Sequence, residues 1–142
     1  MARRRNRLRH AARRRMMPGM EHEGKGARLR IRIVFDEGGM IGPGKAELLE
    51  RIARSGSIAA AGREMGMSYK RAWELIGTLN AMFRAPLVAR TRGGPGGGGA
   101  ELTDLGREVL ALYRGIEAEA AGAGAAGMAA LRALLRDPPR DI

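Results

Sequence analysis

The sequence predicts a mainly α fold with a small β component (α+β): a three-helix core, a β-hairpin, and a long C-terminal helix. Three observations predict it. Residues 56–83 hold two short amphipathic segments, each preceded by a serine and separated by Gly66. Residues 86–103 read as two β runs flanking the glycine tract GGPGGGG. From Asp104 onward apolar residues recur at helical spacing, and no proline intervenes before Pro138.

Composition narrows the function. At 142 residues there is room for one ordinary domain plus tails. Aromatics are 4% of the chain, so the core must come from Leu, Ile, Met and Ala. There is no cysteine, which excludes disulfides and thiolate metal sites and fits a cytoplasmic setting. The only histidines are His10 and His22, both in the polar N-terminal arm. Neither a histidine-based enzyme nor a metal or cofactor site is expected. The net charge of +11 points to a polyanion as partner, but eight of those charges are arginines within residues 1–15. The rest of the chain is only mildly basic.

Residues 1–26 are expected to be a disordered arm. It would act as a polycation on DNA phosphates or as an inert tail, or lie upstream of a true start at Met16, Met17 or Met20. No apolar run follows its arginines, so a secretory signal is not expected. Ala27–Phe35 alternates Leu29, Ile31 and Ile33 against Arg28, Arg30 and Arg32, the pattern of a half-buried strand. Residues 36–44 are expected to be a glycine-rich loop. A first helix is expected from Lys45 to Ser55, buried through Leu48, Leu49 and Ile52 and ended by Gly56 in a left-handed conformation. Within this region Gly39-Met-Ile-Gly-Pro-Gly-Lys45 matches the G-x-x-x-x-G-K core of a phosphate-binding loop. Ala46 stands where that motif needs a Ser or Thr for magnesium, and Asp36 and Glu37 put negative charge beside the site. A nucleotide-binding module is therefore carried as the alternative.

Ser57 is placed to cap a second helix over Ile58–Met65, and Ser68 to cap a third. Met67 and Ala72 are spaced as a hydrophobic staple. On the third helix Ala72, Leu75, Ile76, Leu79 and Phe83 form one apolar stripe, with Lys70, Glu74 and Gly77 opposite. Two helices across a tight turn, the second with a basic and aromatic N-terminal half, are a helix-turn-helix. The candidate DNA contacts are Ser57, Ser68, Tyr69, Lys70 and Arg71, with Trp73 open between packing and contact. Glu74 reads as structural or as a base discriminator, since carboxylates repel phosphate. Residues 86–92 and 100–103 are expected to pair as a hairpin wing with a flexible tip at 93–99. Arg90 and Arg92 at its base are candidate phosphate or minor-groove contacts.

The third capping position is Thr103. Beyond it Leu105, Val109, Leu112 and Ile116 step by four, three and four, the seam of a helix that pairs with a second copy. The Ala/Gly run 118–127 is expected to weaken or break this helix, with a short helix resuming over Met128–Arg136. The run is too short and too closely bounded by charge to span a membrane. The expected organisation is an arm (1–26), a winged helix-turn-helix domain (27–103), a helical dimerisation segment (104–136) and a tail (137–142).

Several of these stretches resemble the N-terminal DNA-binding domain of the molybdate-responsive ModE regulators, a relative of the LysR-type winged helix. The matching residues are Gly56-Ser-Ile-Ala-Ala-Ala, Met67-Ser-Tyr-Lys-Arg-Ala-Trp73, Pro86-Leu-Val, Arg90-Thr-Arg-Gly-Gly94, Gly97-Gly-Gly99 and Leu102-Thr-Asp-Leu-Gly106. The resemblance spans roughly residues 27–113. It implies a strand, three helices, a wing and a long helix, and a homodimeric regulator on double-stranded DNA. It implies no enzyme. Members of that family continue into C-terminal molybdate-binding domains, and no strand-rich segment follows the wing here. The resemblance thus implies a reader of DNA without its own oxyanion site, with a separate molybdate-binding protein as a candidate partner.

Overall fold

The computed structural model describes residues 26–92 and 98–136. Its elements are β1 (Ile33–Val34), β2 (Met40–Ile41), α1 (Pro43–Ser55), α2 (Ile58–Glu64), α3 (Tyr69–Met82), β3 (Val88–Thr91), β4 (Gly99–Leu102) and α4 (Asp104–Ala133). Leu29–Gly122 forms one unit, a winged helix; residues 123–136 fall in a second. The expected arm and C-terminal tail lie outside the described residues, as does most of the wing tip.

The helix boundaries follow local chemistry. Gly56 ends α1 at φ +68°, its N–H donating to the Ile52 carbonyl. Ser57 Oγ accepts from Ala60 N–H at 3.1 Å, and Ser68 Oγ from Arg71 N–H at 3.1 Å. Such a cap contributes about 1 kcal/mol. Gly66, at φ +70°, makes the turn between α2 and α3. The two helices cross closely because small residues meet there: a Cβ on Gly62 would lie 3.1 Å from that of Ala72.

The main core gathers Leu48, Leu49 and Ile52 of α1, Ile58 and Ala61 of α2, and Ala72, Ile76 and Leu79 of α3. Leu87, Val88, Ala100 and Leu102 close it from the wing. The wing strands pair antiparallel with Val88 opposite Leu102 and Arg90 opposite Ala100. Ala100 N–H also donates to the Gly56 carbonyl at 2.8 Å, which ties β4 to the end of α1. A smaller cluster joins Ile41 and Ala46 to Tyr113 of α4. The Tyr113 hydroxyl donates to the Ile31 carbonyl at 2.8 Å, and burial raises its pKa. Arg114 of α4 reaches Glu50 of α1 at 2.6 Å and Glu117 at 2.7 Å.

Three expectations are corrected. The strand expected over residues 27–35 forms ladder only at Ile33–Val34, because Met40–Ile41 is the sole partner it finds among the described residues. Tyr113, rather than a neighbouring strand, satisfies Ile31. The expected loop 36–44 itself supplies β2 and the start of α1, which begins at Pro43 with proline in its first turn. Finally, α4 runs unbroken through Ala118–Gly127 to Ala133. Each glycine there weakens the helix by about 1 kcal/mol, but the alanines around it are the best helix formers and no proline interrupts.

Candidate nucleic-acid interface

α3 presents its basic half outward. Ala72, Ile76 and Leu79 are buried, so the helix is locked in rotation by its apolar stripe. That leaves Tyr69, Lys70, Arg71 and Glu74 exposed on the other side, Tyr69 at 55%. Arg71 has only a 4.0 Å approach to Glu74, and both side chains are more than half exposed. A pair this long and this wet holds the guanidinium weakly. Ser68 and Ser57 both spend a lone pair on capping, which keeps their hydroxyl protons available to an outside acceptor.

The wing comes to the same end of the helix. Asn80, near the C-terminal end of α3, accepts through Oδ1 from Leu87 N–H (2.8 Å) and Val88 N–H (3.2 Å). Its Nδ2 donates to the Val88 carbonyl at 3.3 Å. Two turns earlier on α3, the ring of Trp73 lies under Arg90, with Cζ 4.2 Å from the ring centroid. β3 therefore runs back along α3 from Asn80 towards its N-terminal half. Alternation along the strand puts Arg90 on the same face as buried Val88, which is why its side chain turns to the helix. Tyr69 meets Trp73 edge-on at 5.9 Å and 76°, as expected of residues one turn apart. The result is a ladder, Tyr69–Trp73–Arg90, beside Lys70 and Arg71. Arg92 is exposed just beyond β3, next to the undescribed tip.

The geometry does not suit the nucleotide alternative. Met40–Ile41, inside the matched motif, is tied up as β2, and Gly44 is already within α1. Lys45 Nζ donates to the Met40 carbonyl at 2.8 Å instead of standing free for a phosphate. Burial, then repulsion from Arg32 and Arg71, holds its pKa below the ordinary ammonium value.

The proposed seam divides. Leu105 and Val109 are half-buried against the domain's own core. Leu112 and Ile116 are 61% and 45% exposed. Asn80, Tyr113 and Glu50 were not singled out from sequence. Asn80 carried the one available signal, a poor helix former inside a strong helical pattern, which marks a side chain with an assigned hydrogen-bond task.

Comparison with known proteins finds one family match and several partial relatives. Residues 44–107 match the model of the bacterial regulatory helix-turn-helix proteins of the lysR family. The molybdenum transport protein ModE of Azotobacter vinelandii is 43% identical over 90 residues, 63% of this chain and 33% of that protein. The molybdenum-pterin-binding protein MopA of Rhodobacter capsulatus is 48% identical over 73 residues, 51% of this chain and 28% of its own length. The DNA-binding transcriptional dual regulator ModE of Escherichia coli (strain K12) is 45% identical over 71 residues, 50% of this chain and 27% of that one. The chain thus spans about a third or less of the length of these relatives. A solved complex of the CbnR DNA-binding domain with DNA aligns at 25% identity and a TM-score of 0.49, covering 61% of this chain and 94% of that one.

Proposed function

We propose that this chain, whose residues 44–107 match the model of the bacterial regulatory helix-turn-helix proteins of the lysR family, is a sequence-specific DNA-binding transcription regulator. One observation carries the reading. The buried stripe of α3 fixes its rotation so that Lys70 and Arg71 face out, and the wing delivers Arg90 to the same end. A helix held this way enters a major groove while a flanking arginine reaches phosphate or minor groove. Tyr69, Ser68 and Ser57 border the same face. The role is regulatory and not enzymatic, and it is exercised in the cytoplasm, where the DNA is.

Two relatives carry molybdenum in their names, one as a transport protein and one as a molybdenum-pterin-binding protein. This supports a link to molybdate, as does the resemblance of the run Met67–Trp73 to the molybdate-responsive regulators. The proposed organisation remains an arm (1–26), a DNA-binding domain (27–103), a dimerisation helix (104–136) and a tail (137–142), with a separate molybdate-binding protein as a candidate partner. Selection of bound sequences from random duplex DNA, with and without molybdate, tests specificity and effector response together. Two copies of one half-site at a fixed separation of one helical turn, or a multiple of it, are expected. Recovery of no preferred sequence would sink the reading.

The dimer is assigned to α4 through the outward residues of its stripe, Leu112 and Ile116. Replacing both by Lys is expected to yield monomers in sedimentation without loss of fold, since neither contributes to the core. Paired half-sites should then be lost while a single half-site is still bound weakly. An unchanged dimer would move the interface elsewhere. Leu105 is a poor probe of it, because Leu105→Lys would also place a charge against the main core.

A further inference from the structure

We infer that Trp73 acts on DNA through Arg90: its ring is a platform that presents the wing's guanidinium beside the recognition helix. This deepens the reading above and rests on it. The side chain was open between core packing and direct contact; it packs, partly buried, against the main core, and the geometry points to a further role for the face it leaves open. Arg90 Cζ lies over the ring at 4.2 Å, and no side-chain hydrogen bond or ion pair engages it among the described residues. A guanidinium held through its face keeps its N–H donors, which lie in its plane, for another acceptor. A phosphate met by that edge can be bound by two parallel hydrogen bonds. Tyr69 in turn braces the ring edge-on, so three residues on two elements form one stack.

The placement matters because β3 is held along α3 by Val88 in the shared core, by Asn80 and by the Arg90–Trp73 contact. Asn80 fixes the start of the strand, and Trp73 holds it two turns nearer the DNA-facing end. Beyond Arg90 come Thr91 and Arg92 and then the tract GGPGGGG, whose one side chain is Pro95. Without the ring, a long arginine at the base of such a wing would sample many rotamers and lose that freedom on binding. With it, the guanidinium is already beside Lys70 and Arg71 before DNA arrives. Trp73 is thus a positioning residue.

The test is a double-mutant cycle on the full chain, titrated with mixed-sequence duplex DNA, because phosphate contact is independent of sequence. Arg90→Ala is expected to weaken binding about tenfold and to lower the salt slope by about one. Trp73→Leu should lose about three- to tenfold by itself, yet cost almost nothing more when Arg90 is already Ala. Trp73→Phe should recover most of the loss, since a phenyl ring still offers a face. In the free protein, NMR should show the Arg90 side-chain protons shifted upfield by the ring, and the shift should vanish in Trp73→Leu. Losses that multiply in the double variant, or side-chain protons with no ring shift, would overturn the inference and leave the DNA reading standing. A wild-type chain that does not bind duplex DNA would overturn both. Should Trp73→Leu fail to fold, Trp73→Met with Arg90→Ala closes the same cycle, since it too removes the ring, and the ring shift is read in the wild-type protein.

Discussion

Gly106→Ala is expected to destabilise the domain by about 3 kcal/mol or more, the upper range for overpacking a filled interior. Gly106 lies in the first turn of α4, where the helix passes directly over the chain entering the wing. A Cβ there would sit 2.1 Å from the Leu87 carbonyl oxygen and 3.0 Å from its carbon. No rotamer relieves a clash with backbone. Leu87 cannot retreat, since its side chain is fully buried and its carbonyl accepts from Thr103 N–H at 2.9 Å. Its own N–H is held by Asn80. Pushing Leu87 aside would therefore loosen the wing as well as the core. The same substitution at Gly115, on the same helix with open space around it, should stabilise by about 0.5–1 kcal/mol through helix propensity. Urea denaturation of the pair checks this: the midpoint should fall for Gly106→Ala and rise for Gly115→Ala at similar slope. If Gly106→Ala matched the wild type, the close approach of α4 to Leu87 would be wrong.

The second large effect concerns binding. Replacing Lys70 and Arg71 together by Ala should cut affinity for a selected site by about 100-fold, at roughly 1–3 kcal/mol for each lost contact. Both side chains are exposed and neither supports the core, so thermal stability should be unchanged. Arg71 gives up only its long approach to Glu74, and an exposed pair of that kind contributes little. The comparison that separates two explanations of the net charge is deletion of residues 1–15. Removing eight arginines should lower affinity evenly across sequences and reduce the salt dependence, leaving the preferred site the same. Should the deletion abolish site preference while the Lys70 and Arg71 changes leave it intact, the chain would be a general polycation and not a reader of sequence.

Much of this was legible without coordinates because it is local. A serine before an apolar run caps a helix whatever surrounds it, and Ser57, Ser68 and Thr103 all do so. Gly56 and Gly66 fall where a left-handed backbone is needed. The stripe on α3 has one solution, since 3.6-residue periodicity decides which side chains face the core. Where local cues were followed too far, they misled. Alternation at residues 27–35 described side-chain faces correctly for Ile31 and Ile33 but not for Leu29, which is exposed, and a strand exists only where a partner offers its backbone. Glycines within α4 signalled a break, but alanine's propensity outweighs them.

By itself, then, the sequence determined the order of helices, their caps, the wing, and the outward face of the recognition helix. These rest on interactions between residues a few positions apart. The tertiary structure alone decided how residues far apart in the chain divide their tasks. Leu105 and Val109 belong to the domain's own core, while Leu112 and Ile116 stay outward on the same apparent seam. Tyr113 caps a carbonyl of Ile31, and Gly106 makes room for Leu87. Trp73, undecided on its helix, packs against the core and lies under Arg90 of β3. Periodicity can state which residues share a face, but only the packed backbone states what that face meets.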